Sequence, residues 1–197
     1  MFDQMNKVCV YCGSSSGRTS DYITYANQLA DVFLSKNIEL VYGGASIGVM
    51  GALANRMIAR GGRVTGVIPK ALAEKEIAHS GLTNLHVVES MHNRKMMMAE
   101  LADGFIALPG GMGTFEELFE VLTWAQLGFH HKPCGLLNSN RFYDQLISFL
   151  NHAVDEKFIK PVHRDLLLVS SDPAQLVEKM ENYSPIIDDK WISETET

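Results

Sequence analysis

The sequence predicts one α/β domain over residues 1–183, a doubly wound, Rossmann-like parallel sheet in three layers, with a loose tail at 184–197. Short apolar runs alternate with stretches of helical spacing along the whole domain, the pattern that βαβ units impose. A central run, Gly104-Phe105-Ile106-Ala107-Leu108, is apolar at nearly every position, as in a parallel strand covered on both faces. Three of the runs end in glycine-rich turns. Right-handed crossovers carry the carboxyl ends of such strands to one rim, where ligands bind at the reversal of strand order.

Val8 to Cys12 is the first strand and Gly13-Ser14-Ser15-Ser16-Gly17 the turn after it. A helix follows over about 20–35, with Ile23, Ala26, Leu29, Ala30 and Phe33 on one side. Ile38 to Tyr42 is the second strand, leading into Gly43-Gly44-Ala45-Ser46-Ile47-Gly48. The next helix, from about Gly48 to Arg60, closes on Gly61-Gly62. Val64 to Ile68 is the third strand, stopped by Pro69, and 71–82 reads as a loop or irregular helix over the sheet. Leu85 to Val88 is a short strand and Asn93 to Ala102 a helix. After the central strand, Leu118, Leu122 and Ala125 fall at helical spacing within a helix from Phe115 to Leu127. Gly135 to Leu137, preceded by Pro133, suits a strand start or edge. Phe142 to Val154 is a helix, Leu166 to Val169 the last strand, and Pro173 to Met180 the last helix, with Asp172 as cap.

A length of 197 residues suits one domain with a sizeable core. The formal charge of −6 argues against nucleic-acid binding, which needs a basic face. No apolar run reaches membrane-spanning length, and Met1-Phe2-Asp3-Gln4 lacks the regions of a signal peptide, so a soluble cytoplasmic protein is expected. Cys9 and Cys12 lie three apart in one strand, on opposite faces and about 10 Å from each other, beyond disulfide reach. They read as small core residues in a reducing compartment. The seven histidines show no ligand spacing, and His130-His131 reads as a polar loop, so no metal is expected.

The stretch Leu108-Pro109-Gly110-Gly111-Met112-Gly113-Thr114-Phe115-Glu116-Glu117 joins the central strand to its helix. Glycine lets backbone N–H groups approach a ligand, and a helix N-terminus presents unpaired donors with partial positive charge. Together these make an anion site, with phosphate the usual occupant. Thr114 and Glu117 also have the spacing of a capping box, in which both side chains only satisfy helix N–H groups. A cap does not require Pro-Gly-Gly-x-Gly before it, and the glycines favour a ligand. The dinucleotide fingerprint Gly-x-Gly-x-x-Gly and the ATPase triplet Gly-Lys-Ser/Thr are missing after all three strands, which favours a mononucleotide with one phosphate on Gly110–Thr114.

Ser90-Met91-His92-Asn93-Arg94-Lys95 is the second suggestive stretch. Arg94, Met98 and Leu101 share one helical stripe, so Arg94 continues an apolar face in a first turn where a cation opposes the helix dipole. A solvated basic pair next to Glu89 is the plainer reading of Arg94 and Lys95, and Met96-Met97-Met98 reads as core or interface packing.

These two stretches together resemble the Lonely Guy family of cytokinin riboside 5′-monophosphate phosphoribohydrolases, once labelled lysine decarboxylases. Residues 109–117 match its Pro-Gly-Gly-x-Gly-Thr-x-x-Glu signature, and Met91-His92-Asn93-Arg94-Lys95 matches its second motif. Glu120-Val121-Leu122-Thr123-Trp124-Ala125-Gln126-Leu127-Gly128 is also similar, and the likeness runs from the Cys12-Gly13-Ser14-Ser15 turn to about Val169. Ala71-Leu72-Ala73-Glu74-Lys75-Glu76 departs from the plant pattern, which leaves the substituent on the base open.

The resemblance implies hydrolysis of the N-glycosidic bond of a nucleoside 5′-monophosphate, AMP or a prenylated AMP, without a cofactor. It casts Arg94 and Glu117 as the catalytic pair and Gly111, Met112, Gly113 and Thr114 as the phosphate cradle, with Lys95 and Thr123 as further substrate contacts. It also implies a homodimer with the crevice near the interface. Gly110, Gly13, Ser14, Gly43 and Gly44, on the three glycine turns, are the remaining candidates for substrate contact. A non-catalytic nucleotide-sensing module is the alternative; it would keep the cradle without needing Arg94 and Glu117 together. A pyridoxal-phosphate lysine decarboxylase ranks lower, because no lysine is placed at a glycine-rich phosphate turn.

Overall fold

Seven parallel strands form one sheet in the order β4-β3-β2-β1-β5-β6-β7. They are β1 (Lys7–Tyr11), β2 (Glu39–Tyr42), β3 (Val64–Pro69), β4 (Asn84–Val88), β5 (Gly104–Ala107), β6 (Cys134–Leu137) and β7 (Leu167–Ser170). The computed structural model describes residues 5–74 and 78–185. The N-terminal tetrapeptide, Lys75 and Glu76 in the segment that departs from the plant pattern, and most of the expected tail lie outside the described residues.

The long helices are α1 (Asp21–Lys36), α2 (Gly48–Ala59), α4 (Met91–Leu101), α5 (Met112–Gln126), α6 (Asp144–Asp155) and α8 (Pro173–Glu181); α3 (Lys70–Ala73) and α7 (Pro161–Arg164) are single turns. Strand residues divide alternately between the two faces, as the pleat requires. Val8, Val10 and Cys12 join Leu29 and Phe33 of α1, Leu53 of α2 and Leu176 of α8 in one core. Cys9 and Tyr11 join Met98 of α4 and Val121 of α5 in a second, and Leu118, Tyr143 and Leu150 build a third under α5 and α6. The expected three layers follow. Each fully buried chain of the size of Phe33 or Leu53 contributes about 1.5–3 kcal/mol.

All three cysteines are buried free thiols. Burial pushes their thiols up, that of Cys134 to about 12, so they pack as small apolar groups. Strand order reverses at β1, which lies between β2 and β5. The turns after these three strands therefore meet on one rim.

The structure differs from the sequence reading mainly at element starts. The segment read as a loop or irregular helix over 71–82 begins with the helical turn α3, as the second alternative has it, while Pro161 in the first helical turn starts α7, which periodicity over so few residues does not reveal. Helix α5 starts at Met112 rather than Phe115, with Gly111 as its extended N-cap residue and Phe115 N donating to Gly111 O at 3.1 Å. Burial of Thr114, Glu117 and Leu118 along one face outweighs the low helix propensity of glycine.

Candidate active site

Helix α4 enters from Ser90, whose Oγ accepts from Asn93 N at 3.1 Å. That entry turns Arg94 and Met98 inward. Arg94 is 8% exposed and Met98 fully buried, so the basic residue does occupy the apolar stripe. Its Nε donates to the carbonyl of Val67 on β3 at 3.1 Å, and its Nη1 donates to Glu117 Oε1. Glu117 lies on α5 and is itself 9% exposed.

This contact decides the capping question. Thr114 and Glu117 lie inside α5, whose N-cap residue is Gly111, and no side chain caps its start. Glu117 pairs with a neighbouring helix instead. Burial raises the pKa of its carboxyl and the charge of Arg94 opposes that rise; burial is the larger effect. A buried ion pair is poor value as a stabilising device, because desolvation consumes most of its Coulomb attraction. A perturbed carboxylate beside a fixed guanidinium at the rim where strand order reverses is a candidate functional site.

The first turn of α5 is open. An added Cβ at Gly111 or at Gly113 would meet nothing within 4 Å. Neither has a left-handed backbone. Neither packing nor backbone conformation therefore requires glycine there, and the bare backbone leaves room for close approach by a ligand. The N–H groups of a first helical turn have no partner in their own helix. Gly110 differs, since a Cβ there would overlap the buried Thr114 side chain.

Gly13 N donates to Pro109 O at 3.2 Å, holding the β1 turn against the start of the signature. Gly13, Ser14, Gly110 and Gly111 line one cavity of about 300 Å³, walled on its far side by Tyr22 and Phe142. These two rings meet edge to face at 5.9 Å. Neither aromatic was singled out from sequence; an aromatic in the first turn of a helix leaving the rim was the available signal. Gly43 and Gly44 are buried at the end of β2, and Gly43 lies against the Arg94 guanidinium.

Lys95 bonds Glu116 and Glu120 of α5, the latter at 2.9 Å. The hydrogen bond to Glu116, partly offset by burial, raises its pKa and keeps it an ammonium. Thr123 Oγ1 donates to the carbonyl of Phe119 at 2.7 Å. Sequence reasoning missed Glu116, Glu120 and the Val67 carbonyl, whose roles appear only when α4 and β3 are seen against α5. His130 Nε2 donates to Val121 O at 2.9 Å while its Nδ1 accepts from Lys132 N, which fixes a neutral ring. Among the described residues no group of three His, Cys, Asp or Glu side chains is placed to hold a metal ion, and no helix is long and apolar enough to cross a membrane.

A family profile described as "Possible lysine decarboxylase" matches residues 50–180. A cytokinin riboside 5′-monophosphate phosphoribohydrolase of Arabidopsis thaliana is 47% identical over 186 residues, covering 94% of this chain and 87% of that one. One of Rhodococcoides fascians is 52% identical over 166 residues, covering 84% of each. Among solved structures, a molybdenum cofactor binding protein from Rippkaea orientalis superposes with a TM-score of 0.69 at 18% identity, covering 91% of this chain and 98% of that one. At that identity the likeness concerns the fold.

Proposed function

The chain belongs to the Lonely Guy family, and we propose that it hydrolyses the N-glycosidic bond of adenosine 5′-monophosphates, with or without an N6 substituent. The products are the free base and ribose 5-phosphate, and the reaction activates a cytokinin when the base carries an isoprenoid group. The observation that carries this reading is the buried Arg94–Glu117 pair beside an open glycine turn.

The 5′-phosphate sits on the first turn of α5, where the N–H groups of Met112, Gly113 and Thr114 face it, and Gly13 and Ser14 approach from the β1 turn. Glu117 lies five residues beyond Met112, about 7.5 Å along the helix axis, a span comparable to that from a 5′-phosphate to the anomeric carbon. Clamping the phosphate therefore fixes the ribose over the carboxylate. As the bond between C1′ and the base nitrogen breaks, its electron pair leaves with the base and positive charge grows on the ribose ring. Glu117 stabilises that charge and takes a proton from the water that attacks C1′. The departing base takes a proton from solvent, Glu117 returns to solvent the one it took from the water, and Arg94 holds Glu117 ionised and oriented. Lys95 reaches substrate in this reading by exchanging Glu116 or Glu120 for a substrate oxygen, and Thr123 by releasing the carbonyl of Phe119.

A pyridoxal-phosphate lysine decarboxylase needs an amine that loses its proton readily to form a Schiff base. Lys95, the lysine beside the pair, is held in the opposite state by its two glutamates. The residues do not fit that cofactor. The three buried free thiols support a reducing, cytoplasmic compartment. Exposed Met91, Met96 and Phe129 around the edge of α4 support a homodimer.

The test is incubation with AMP and with isopentenyladenosine monophosphate, followed by assay of free base and ribose 5-phosphate. Release of both products from either nucleotide is expected. Tight binding without release would mean a sensing module instead.

A further inference from the structure

Gly43 stands at the carboxyl end of β2 and is buried. Its φ lies outside the left-handed region, so no positive φ bars alanine there. What fills the space of the missing side chain is a guanidinium. A Cβ on Gly43 would overlap Nη2 of Arg94 and touch Met50 Sδ at 3.5 Å. Arg94 is thus bounded by three elements: the Val67 carbonyl on Nε, Glu117 on Nη1 and the bare Gly43 backbone under Nη2.

Its neighbour Gly44 is glycine for a different reason. Gly44 has φ +76°, and a Cβ would lie 3.2 Å from that of Ile68. There the backbone itself demands glycine. Two adjacent glycines that look alike in sequence therefore do different work.

We propose that Gly43 is a positioning residue for catalysis, leaving the vacancy into which the Arg94 guanidinium must fit to hold Glu117. The inference rests on the hydrolase reading of the Arg94–Glu117 pair. The group a methyl would displace is the far end of a long side chain, so the fold yields there at little expense. The catalytic geometry does not, since a misplacement of about 1 Å in an active site lowers turnover about 100-fold.

The experiment compares Gly43→Ala, Gly44→Ala, Arg94→Ala and the double variant Gly43→Ala/Arg94→Ala by thermal unfolding and by pH-rate profiles on AMP or its isopentenyl derivative, using whichever the wild type cleaves. Gly43→Ala is expected to unfold no lower than Arg94→Ala, which loses the same buried contacts, and to lose about 100-fold in kcat. Its acid limb should move to higher pH, as in Arg94→Ala, because both take the guanidinium from Glu117 while burial and Glu116 still raise its pKa and Lys95 of α4, the remaining cation, is the smallest influence on it. Cys9, Tyr11 and Cys12, which face the carboxylate from the sheet, are held neutral by burial and supply no replacement charge. Once Arg94 is gone, Gly43→Ala should add no further loss, the mark of two residues acting as one unit. Gly44→Ala should lose stability instead.

Full activity in Gly43→Ala, an unshifted acid limb, a loss that adds in full to that of Arg94→Ala, or unfolding with and without Arg94 would each overturn the proposal. Normal turnover in Arg94→Ala would overturn the reading of the pair itself, and the inference with it.

Discussion

Glu117 answers two opposing demands. Burial holds its pKa above the ordinary glutamate value of 4.5, while Arg94 draws it back. The ionised form does the chemistry, so the acid limb of the pH-rate profile should lie above pH 4.5. Stability runs the other way. A carboxyl whose folded pKa is raised binds its proton more tightly in the native state, so its contribution is full below the unfolded value and is lost as pH rises through the folded one. Titrating downward through that window should therefore remove activity while this group's contribution to stability rises. An acid limb at or below pH 4.5 would show that burial does not govern it. Glu117→Gln keeps an acceptor for Arg94 and loses the charge; it should lower kcat by about 10²–10³ while leaving AMP affinity nearly unchanged in calorimetry. At this scale the sequence singled out Arg94 and Glu117, which the fold pairs, but the burial that sets the state of the carboxyl depends on α4 meeting α5.

The first turn of α5 shows a helix end shaped against its own stability. Gly113 lies in the helix, touches nothing at its Cβ position and has an ordinary backbone. Gly113→Ala should stabilise the protein by about 0.4–1 kcal/mol, mostly by narrowing the unfolded ensemble, as read by urea unfolding. The same methyl occupies the approach of the phosphate, so AMP affinity and kcat/KM should fall. A variant gaining stability with undiminished affinity would place the anion elsewhere. Lys157 offers the reverse case, away from the site. It follows α6 at φ +65°, where glycine is unstrained. Lys157→Gly should raise stability by up to about 1 kcal/mol without altering turnover. Composition marked the glycines of the signature as a turn before a helix at Phe115, because glycine reads locally as a breaker. That Gly113 belongs to the helix's own first turn, with Gly111 at its N-cap, follows from tertiary burial of Thr114 and Leu118, which local propensity does not contain.

At the scale of the whole molecule, alternation of strands and helices plus the handedness of crossovers was enough to place three glycine turns on one rim. The expected strands overlap all seven of the sheet. The contacts that build the candidate site at the rim, Arg94 to Val67 and to Glu117, join residues 27 and 23 positions apart, and pattern alone does not specify such pairings. The same holds for what lies outside the rim. The surface of α4 and the segment after α5 expose Met96 at 43% and Phe129 at 56%, beside a hollow of about 290 Å³ that also includes Trp124. An apolar band of this kind, next to the helix that carries Arg94, favours a second copy of the chain as its cover. The protein should sediment at twice its 21.9 kDa mass at micromolar concentration. Met96→Glu combined with Phe129→Glu, which sets like charges against each other across a two-fold interface, should give the single mass with an unchanged far-UV spectrum. If the unaltered chain sediments at 21.9 kDa, the band is not a dimer interface and the crevice is complete within one chain.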